Sequence, residues 1–142
     1  MAFRFIFPPR RFLRLLLSAL FFASGLTYAV RALGADFEFF LASRISDTPE
    51  QALYHLRRAR VLFPYDHNVR ASTAYFYTAF RFYDQRKEAI QVIEQELEIN
   101  PFAVDLLVAL AAYKFADGNR AGAEQAIAKV KKLRPDTIVE EP

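Results

Sequence analysis

The apolar and polar positions of this chain fall into two patterns, and the first is a continuous apolar block. Residues 15–30 read LLLSALFFASGLTYAV, sixteen residues without a charge between Arg14 and Arg31. As a helix this block is roughly 24 Å long, and adding Phe12 and Leu13 brings it close to the ~30 Å of a hydrocarbon core. It is apolar on every side, unlike a helix lying on a soluble core. The pattern predicts a membrane-spanning helix.

We interpret residues 12–31 as an uncleaved transmembrane signal anchor behind a basic cytoplasmic N-terminus over residues 1–11. Four arginines precede the apolar block and one follows it, so the positive-inside bias places the rest of the chain on the far side of the membrane. Two alternatives stay open. One is a cleaved signal peptide with Thr27-Tyr28-Ala29 as an imperfect cleavage site, and the other is a buried amphipathic helix of a soluble protein.

Beyond Arg31 the apolar positions take helical spacing and repeat. Three predicted helices end in an apolar residue, any residue and a proline, namely Pro64, Pro101 and Pro135, which are 37 and 34 residues apart. The residues twelve, eight and five positions before each proline are, copy by copy, Ala52, Leu56 and Ala59, then Ala89, Ile93 and Glu96, then Ala123, Ile127 and Val130. These offsets place the three positions on one helical stripe, and proline ends each helix.

This pattern resembles the tetratricopeptide repeat, a helical hairpin of about 34 residues. The most complete copy carries Leu107, Leu110, Ala111, Gly118, Ala123, Ile127, Val130, Leu133 and Pro135. Lys114 departs from the aromatic residue usual in the family. Asp117-Gly118-Asn119 is a predicted turn, in which glycine supplies the positive φ that ends a helix. The resemblance implies an all-α fold, in which the transmembrane helix is followed by a short right-handed α-solenoid of about three hairpins over residues 33–136. A frayed tail over residues 137–142 follows.

Between the predicted anchor and the first repeat helix, the only residue that disfavours a helix is Gly34, and a helix tolerates a single glycine at a cost of about 1 kcal/mol. We therefore expect the membrane helix to run almost directly into the first repeat helix. In the resembling family, the first helix of each hairpin lines a concave, partner-binding face. Carried over, that face consists of Phe37, Leu41, Arg44, Thr78, Arg81, Phe82, Val108 and Phe115.

The implied face is apolar with two arginines, which suits an amphipathic helix or an extended segment with an acidic residue. The alternative is a face partly filled by the chain's own C-terminus or left solvated. The aromatic run of residues 75–83 is predicted to contribute Phe76, Tyr77 and Phe80 to the core, with the remaining rings facing a groove or a partner.

The net charge of +3 is unevenly distributed along the chain. Residues 1–31 hold five arginines and no acid, whereas residues 32–142 hold fourteen basic residues and sixteen acids, a net charge of −2. The folded part therefore lacks the cationic surface that nucleic-acid binding needs. There is no cysteine, so disulfides and thiolate chemistry are excluded.

No catalytic motif is present, and we predict neither an enzyme, nor a cofactor, nor a metal, nor a small-molecule substrate. His67 belongs to a predicted turn and helix cap with Asp66, and His55 to a solvated or half-buried helix position. Two charged groups are interpreted as solvated faces. They are Glu88, Glu94, Glu96 and Glu98 on one helix, and Arg57, Arg58 and Arg60 on another.

The leading hypothesis is a bacterial inner-membrane protein whose periplasmic repeat domain binds another envelope protein. Residues 61–70 look like repeat segments found with O-antigen ligase and polymerase-type membrane proteins, which suggests an accessory role in surface polysaccharide assembly. The rival hypothesis is a structural subunit of a larger membrane complex, packed through its anchor helix. The small residues that would allow close helix approach are Ser18, Ala19, Ala23, Ser24 and Gly25.

Overall fold

The computed structural model describes residues 9–136, with side chains from residue 12 onward. It contains six α-helices, and no strand occurs in this part of the chain, which confirms the all-α prediction. The helices are α1 (Pro9–Arg44), α2 (Pro49–Leu62), α3 (His67–Phe80), α4 (Arg86–Leu97), α5 (Val104–Ala116) and α6 (Arg120–Leu133), with a single 3-10 turn at Tyr83–Gln85. Most of the predicted basic N-terminus and the predicted tail over residues 137–142 lie outside the described residues.

Helix α1 is unbroken from the apolar block into the helical domain, as the weak breaker at Gly34 led us to expect. It is long and apolar enough to cross a membrane, and the apolar window within it buries no residue against the rest of the chain. This exposure is contrary to the alternative of a buried helix in a soluble protein. Its first buried residue is Ala35, and from there α1 becomes part of the folded domain.

Each helix of the domain packs against its neighbours in the chain, and α3 also contacts α5. Helices α1 and α2 are antiparallel, because Tyr28 meets Phe63 at one level and Glu38 meets His55 further along. Gly34 lies where the two helices approach closely, since a Cβ there would be 3.2 Å from Leu62 Cδ1. The absence of a side chain at Gly34 therefore allows α1 and α2 to pack closely.

The alternating direction of the helices gives the domain two ends. The three proline-containing segments, residues 63–66, 98–103 and 134–136, lie at the end where α1 emerges from its apolar block, which we name the proximal end. The turns at residues 45–48, 81–85 and 117–119 lie at the opposite, distal end. Because α2 and α4 run parallel, residues 61–65 and 95–99 lie side by side.

The helix boundaries follow local chemistry. Thr48 caps α2, and the Asp66 carboxylate caps α3 by accepting hydrogen bonds from two backbone N–H groups, which confirms the capping role predicted for that turn. Gly118 ends α5 with a φ of 80°, as predicted. Arg81 ends α3 in the same left-handed region, with a φ of 51°, although it carries a side chain.

The repeat positions form the core. The three alanines and Leu56, Ile93, Ala59 and Val130 are buried, while Ile127 is half-buried. A main cluster joins α2 to α6 around Tyr77 and Tyr113, and a smaller cluster of Ala35, Ala59 and Val69 joins α1, α2 and α3. The spacing of the repeat therefore predicted the residues that hold neighbouring helices together.

The aromatic prediction was right for Tyr77 and wrong for Phe80. Tyr77 is fully buried and Phe76 is half-buried, but Phe80 remains half-exposed. Phe80 is the last residue of α3, so no helix covers its outer side. Its ring packs instead on Phe76, with ring centroids 4.5 Å apart.

Candidate partner-binding surfaces

A groove of about 390 Å³ lies between α3 and α5 and contains three of the predicted partner-binding residues. Thr78 and Arg81 come from the end of α3, and Val108 comes from the middle of α5. Val104, Ala112 and Arg134 complete much of its lining. The lining combines the apolar Val104, Val108 and Ala112 with the acidic Asp105 and the cationic Arg81 and Arg134, so it matches a segment with both apolar and charged side chains.

A second exposed surface runs along α1. Phe37 is 60% exposed, Arg44 is exposed and Leu41 is partly covered. The neighbouring Leu33 and Phe40 are also exposed, and positions 33, 37, 40 and 44 fall on one face of the helix. We call Leu33, Phe37, Phe40 and Arg44 the α1 stripe.

The remaining two predicted partner-binding residues lie elsewhere. Phe82 is half-buried because its ring folds back against Phe76 and Tyr77, so it supports the core more than it lines the groove. Phe115 is also half-buried and borders a separate distal cavity with Tyr83 and Arg120. The eight predicted residues therefore do not form one continuous face: three line the groove, two belong to the α1 stripe with the partly covered Leu41 beside it, and two lie elsewhere.

Arg57 is the centre of a polar network that joins α2, α3 and α4. Its guanidinium donates hydrogen bonds to both carboxylate oxygens of Glu88, to the Tyr77 hydroxyl at 3.1 Å and to Gln85. The prediction that Arg57 and Glu88 belong to solvated faces was wrong, because each is half-covered by the other's helix. Burial lowers the pKa of Arg57, but the hydrogen bond to Glu88 and nearby charges outweigh it, and the pKa is raised.

Two carboxylates are buried against neighbouring helices. Glu96, with a side chain 2% exposed, lies 3.4 Å from Arg70 Nε and 3.8 Å from His67 Nδ1. Glu38 lies 2.6 Å from His55 Nδ1 and 3.1 Å from Arg58 Nε. The solvated-face prediction was therefore also wrong for Glu96. The spacing of the repeat indicated that Glu96 is buried, because Glu96 stands at a stripe position that is apolar or small in the other copies.

These charged groups do not assemble into a recognisable catalytic site. The partners of Glu38 and Glu96 are bases on the neighbouring helix, an arrangement typical of interhelical ion pairs. Within residues 12–136, no three His, Cys, Asp or Glu side chains are placed to hold a metal ion. The polar networks account for helix packing, whereas the groove and the α1 stripe are two accessible surfaces that contain predicted partner-binding residues.

No family model matches this sequence, and no curated protein or solved structure is significantly similar to it. The likeness to the tetratricopeptide repeat therefore depends on the residues quoted above.

The predicted membrane-packing residues do not share one face of α1. Ala19 and Ala23 are one turn apart, Ser18 and Gly25 are two turns apart on another side, and Ser24 lies on neither. All five are exposed, and a Cβ at Gly25 would meet no other atom within 4 Å. The pair Ala19 and Ala23 has the spacing of small residues at close transmembrane crossings.

Proposed function

We propose that this protein is a single-pass membrane protein whose helical-repeat domain, built of hairpins like those of the tetratricopeptide repeat, binds another protein. The α1 stripe is the observation that carries the proposal. It presents apolar side chains outside the apolar block, on a helix already fixed by its contacts with α2. A large exposed aromatic on a rigid helix suits a protein partner, since little conformational entropy is lost on binding.

The groove between α3 and α5 adds specificity to this proposal. Arg81 and Arg134 can pair with acidic side chains of the partner and Asp105 with a basic one, while apolar lining residues contact its apolar groups. The arginines before the apolar block favour a cytoplasmic N-terminus and a domain on the opposite side. In a bacterial inner membrane that side is the periplasm.

The test is recovery of partners from membranes with the full chain in mild detergent, followed by mass spectrometry. Phe37→Ser should remove the partner, whereas Tyr54→Ser should retain it. Tyr54 is a matched control, because it is 55% exposed against 60% for Phe37 and belongs to α2 rather than to the stripe. Equal recovery with both variants would contradict binding through the α1 stripe.

The rival function, a structural subunit of a larger membrane complex, is favoured by one specific observation. Phe22 and Leu26 of the apolar block lie on the same side of α1 as Leu33 and Phe37. A partner helix could therefore follow α1 from the membrane into the domain. Ala19→Leu and Ala23→Leu should release the partner if it packs through the membrane, and leave it bound if the domain recruits it.

A further inference from the structure

The proximal end of the domain exposes several large apolar side chains. Tyr65 is 86% exposed and Phe102 is 71% exposed. They stand in the two turns that follow α2 and α4, and Val61 and Ile99 beside them are exposed as well. The four residues come from two hairpins, yet all lie at the same end because α2 and α4 run parallel.

The same end lies alongside the apolar block of α1. The rings of Tyr28 and Phe63 contact edge to face, with centroids 5.0 Å apart. Tyr28 stands three residues before Arg31, which is about 5 Å along a helix axis. With α1 inserted, Tyr28 lies at the depth where tyrosines collect at membrane interfaces, and the turn that contains Phe63 reaches the same depth.

We propose that the proximal end rests in the interfacial layer of the bilayer, with Tyr65 and Phe102 inserted among the lipid headgroups. This inference rests on the proposed membrane anchor. The occupant is lipid rather than a protein, because the unbroken α1 helix brings the bilayer surface to this end whenever the anchor is inserted. Amphipathic and aromatic side chains next to such a surface bury their apolar parts among the lipids, while their polar groups stay in contact with water.

The charges at the proximal end are compatible with a lipid surface. Lys131, Lys132 and Arg134 are exposed at the end of α6, close to the last proline turn. They equal in number the exposed acids Glu98, Asp105 and Asp136 at this end of the described chain, so these acids do not give it a net negative charge. Basic side chains at this height can bind phosphate groups of lipids, while the aromatic turns enter between the headgroups.

Single-tryptophan variants test this placement directly, because the natural sequence contains no tryptophan. Phe22→Trp reports insertion of the anchor, Tyr65→Trp and Phe102→Trp report the proximal end, and Phe80→Trp is the control at the distal end. Each replaces an aromatic residue that is already at least half-exposed, so the fold is retained. The full chain is reconstituted in vesicles of phosphatidylcholine and phosphatidylglycerol. The lipids carry no bromine, bromine close to the carbonyl end of the acyl chains, or bromine close to their methyl end.

Bromine close to the carbonyl end should remove about half of the emission of Tyr65→Trp and Phe102→Trp, if these side chains lie at the interface. Phe22→Trp is near the middle of the apolar block and should be quenched by bromine close to the methyl end, whereas Phe80→Trp should keep its emission in both lipids. Quenching of Phe22→Trp without quenching of both proximal variants overturns the interfacial placement but leaves the anchor intact. An unquenched Phe22→Trp overturns the anchor itself, and the inference with it.

Discussion

The first and last hairpins of the domain, α1–α2 and α5–α6, have the same antiparallel form but are held together differently. Glu38 of α1 is buried between His55 and Arg58 of α2, so charge contributes to that contact. In the last hairpin Leu110, Ala123 and Ala126 are buried, and the described residues form no ion pair between α5 and α6. One backbone arrangement is thus stabilised at one end by paired charges as well as by small residues such as Ala35 and Ala59, and at the other by apolar contacts.

The difference matters for stability because the two kinds of contact fail in different ways. Removing one partner of a buried ion pair lowers the stability of the fold, since the other charge stays buried without compensation. Introducing a larger side chain at a contact between small residues lowers the stability of the fold, because the helices must move apart. Four predictions break or sharpen this contrast, and the largest expected effect comes first.

Replacing Arg70 tests the charged contacts most strongly. Arg70→Met removes the nearest cation of buried Glu96 and should lower the free energy of unfolding by about 3–5 kcal/mol. Urea unfolding in mild detergent, followed by circular dichroism, measures the change. The double variant Arg70→Met/Glu96→Leu should recover most of the loss. A loss below about 1 kcal/mol in the single variant would mean that Glu96 does not depend on this partner.

Enlarging a small residue tests the apolar contacts. Ala123→Leu places a bulky side chain at a position with no exposed surface and should cost about 1–3 kcal/mol of stability. Ala128→Leu is the matched control, because it lies on the same helix at an exposed position and should change stability by less than about 0.5 kcal/mol. Equal melting temperatures of the two variants would refute close packing at Ala123.

Raising the pH tests the contact between the last hairpin and the neighbouring helix α3, where Tyr113 of α5 donates a hydrogen bond to the Tyr77 carbonyl oxygen at 2.8 Å. Burial, with a smaller effect of the Glu88 charge, raises the pKa of Tyr77 from 10 to about 12. Burial also raises the pKa of Tyr113. An unfolded tyrosine ionises first, so stability is complete below pH 10 and falls as pH rises from there towards 12.

The slope of this alkaline loss should reach at most about 1.4 kcal/mol per pH unit for each tyrosine. Urea midpoints measured between pH 8 and pH 11.5 give the slope. In Tyr113→Phe the slope should decrease, after a constant loss of about 1 kcal/mol for the missing hydrogen bond. A midpoint that does not change above pH 10 would show that the rings are accessible to water in the folded state.

The smallest effect is expected at Arg81, beside the groove. Its φ of 51° is unfavourable for a residue with a side chain, so Arg81→Gly should stabilise the protein by roughly 0.5–1 kcal/mol. Arg81→Val should destabilise it, because a branched Cβ fits this backbone poorly. Thermal unfolding compares the two. If Arg81→Gly is the less stable variant, the guanidinium contributes more than the backbone strain costs.

The sequence predicted local features well because they depend on neighbours in the chain. Proline spacing indicated the helix ends, Asp66 and Gly118 indicated a cap and a stop, and the alanine positions identified helix contacts. Gly34 was predicted only as a tolerated residue, whereas it permits close approach of Leu62. That function depends on a residue 28 positions away and could not be found from local pattern.

The charged networks were harder to predict for the same reason. Arg57 and Glu88 are 31 positions apart, and their pairing depends on how α2 and α4 lie together. Either residue alone is typical of a solvated helix face. Glu96 was the exception, because its place in the repeat should have marked it as inward-facing. The groove needed both α3 and α5 in position, and Phe82 turned inward because the chain reverses direction at Arg81.

The unbroken α1 helix has a mechanical consequence. Its 36 residues form a rod about 54 Å long, and no proline or flexible linker separates its apolar half from its folded half. Any tilt or rotation of the rod within a membrane would turn the attached groove by the same angle. Inserted in a membrane, such a rod would hold the groove at a fixed distance from the bilayer and in a fixed direction, whereas a domain on a flexible linker would sample many orientations.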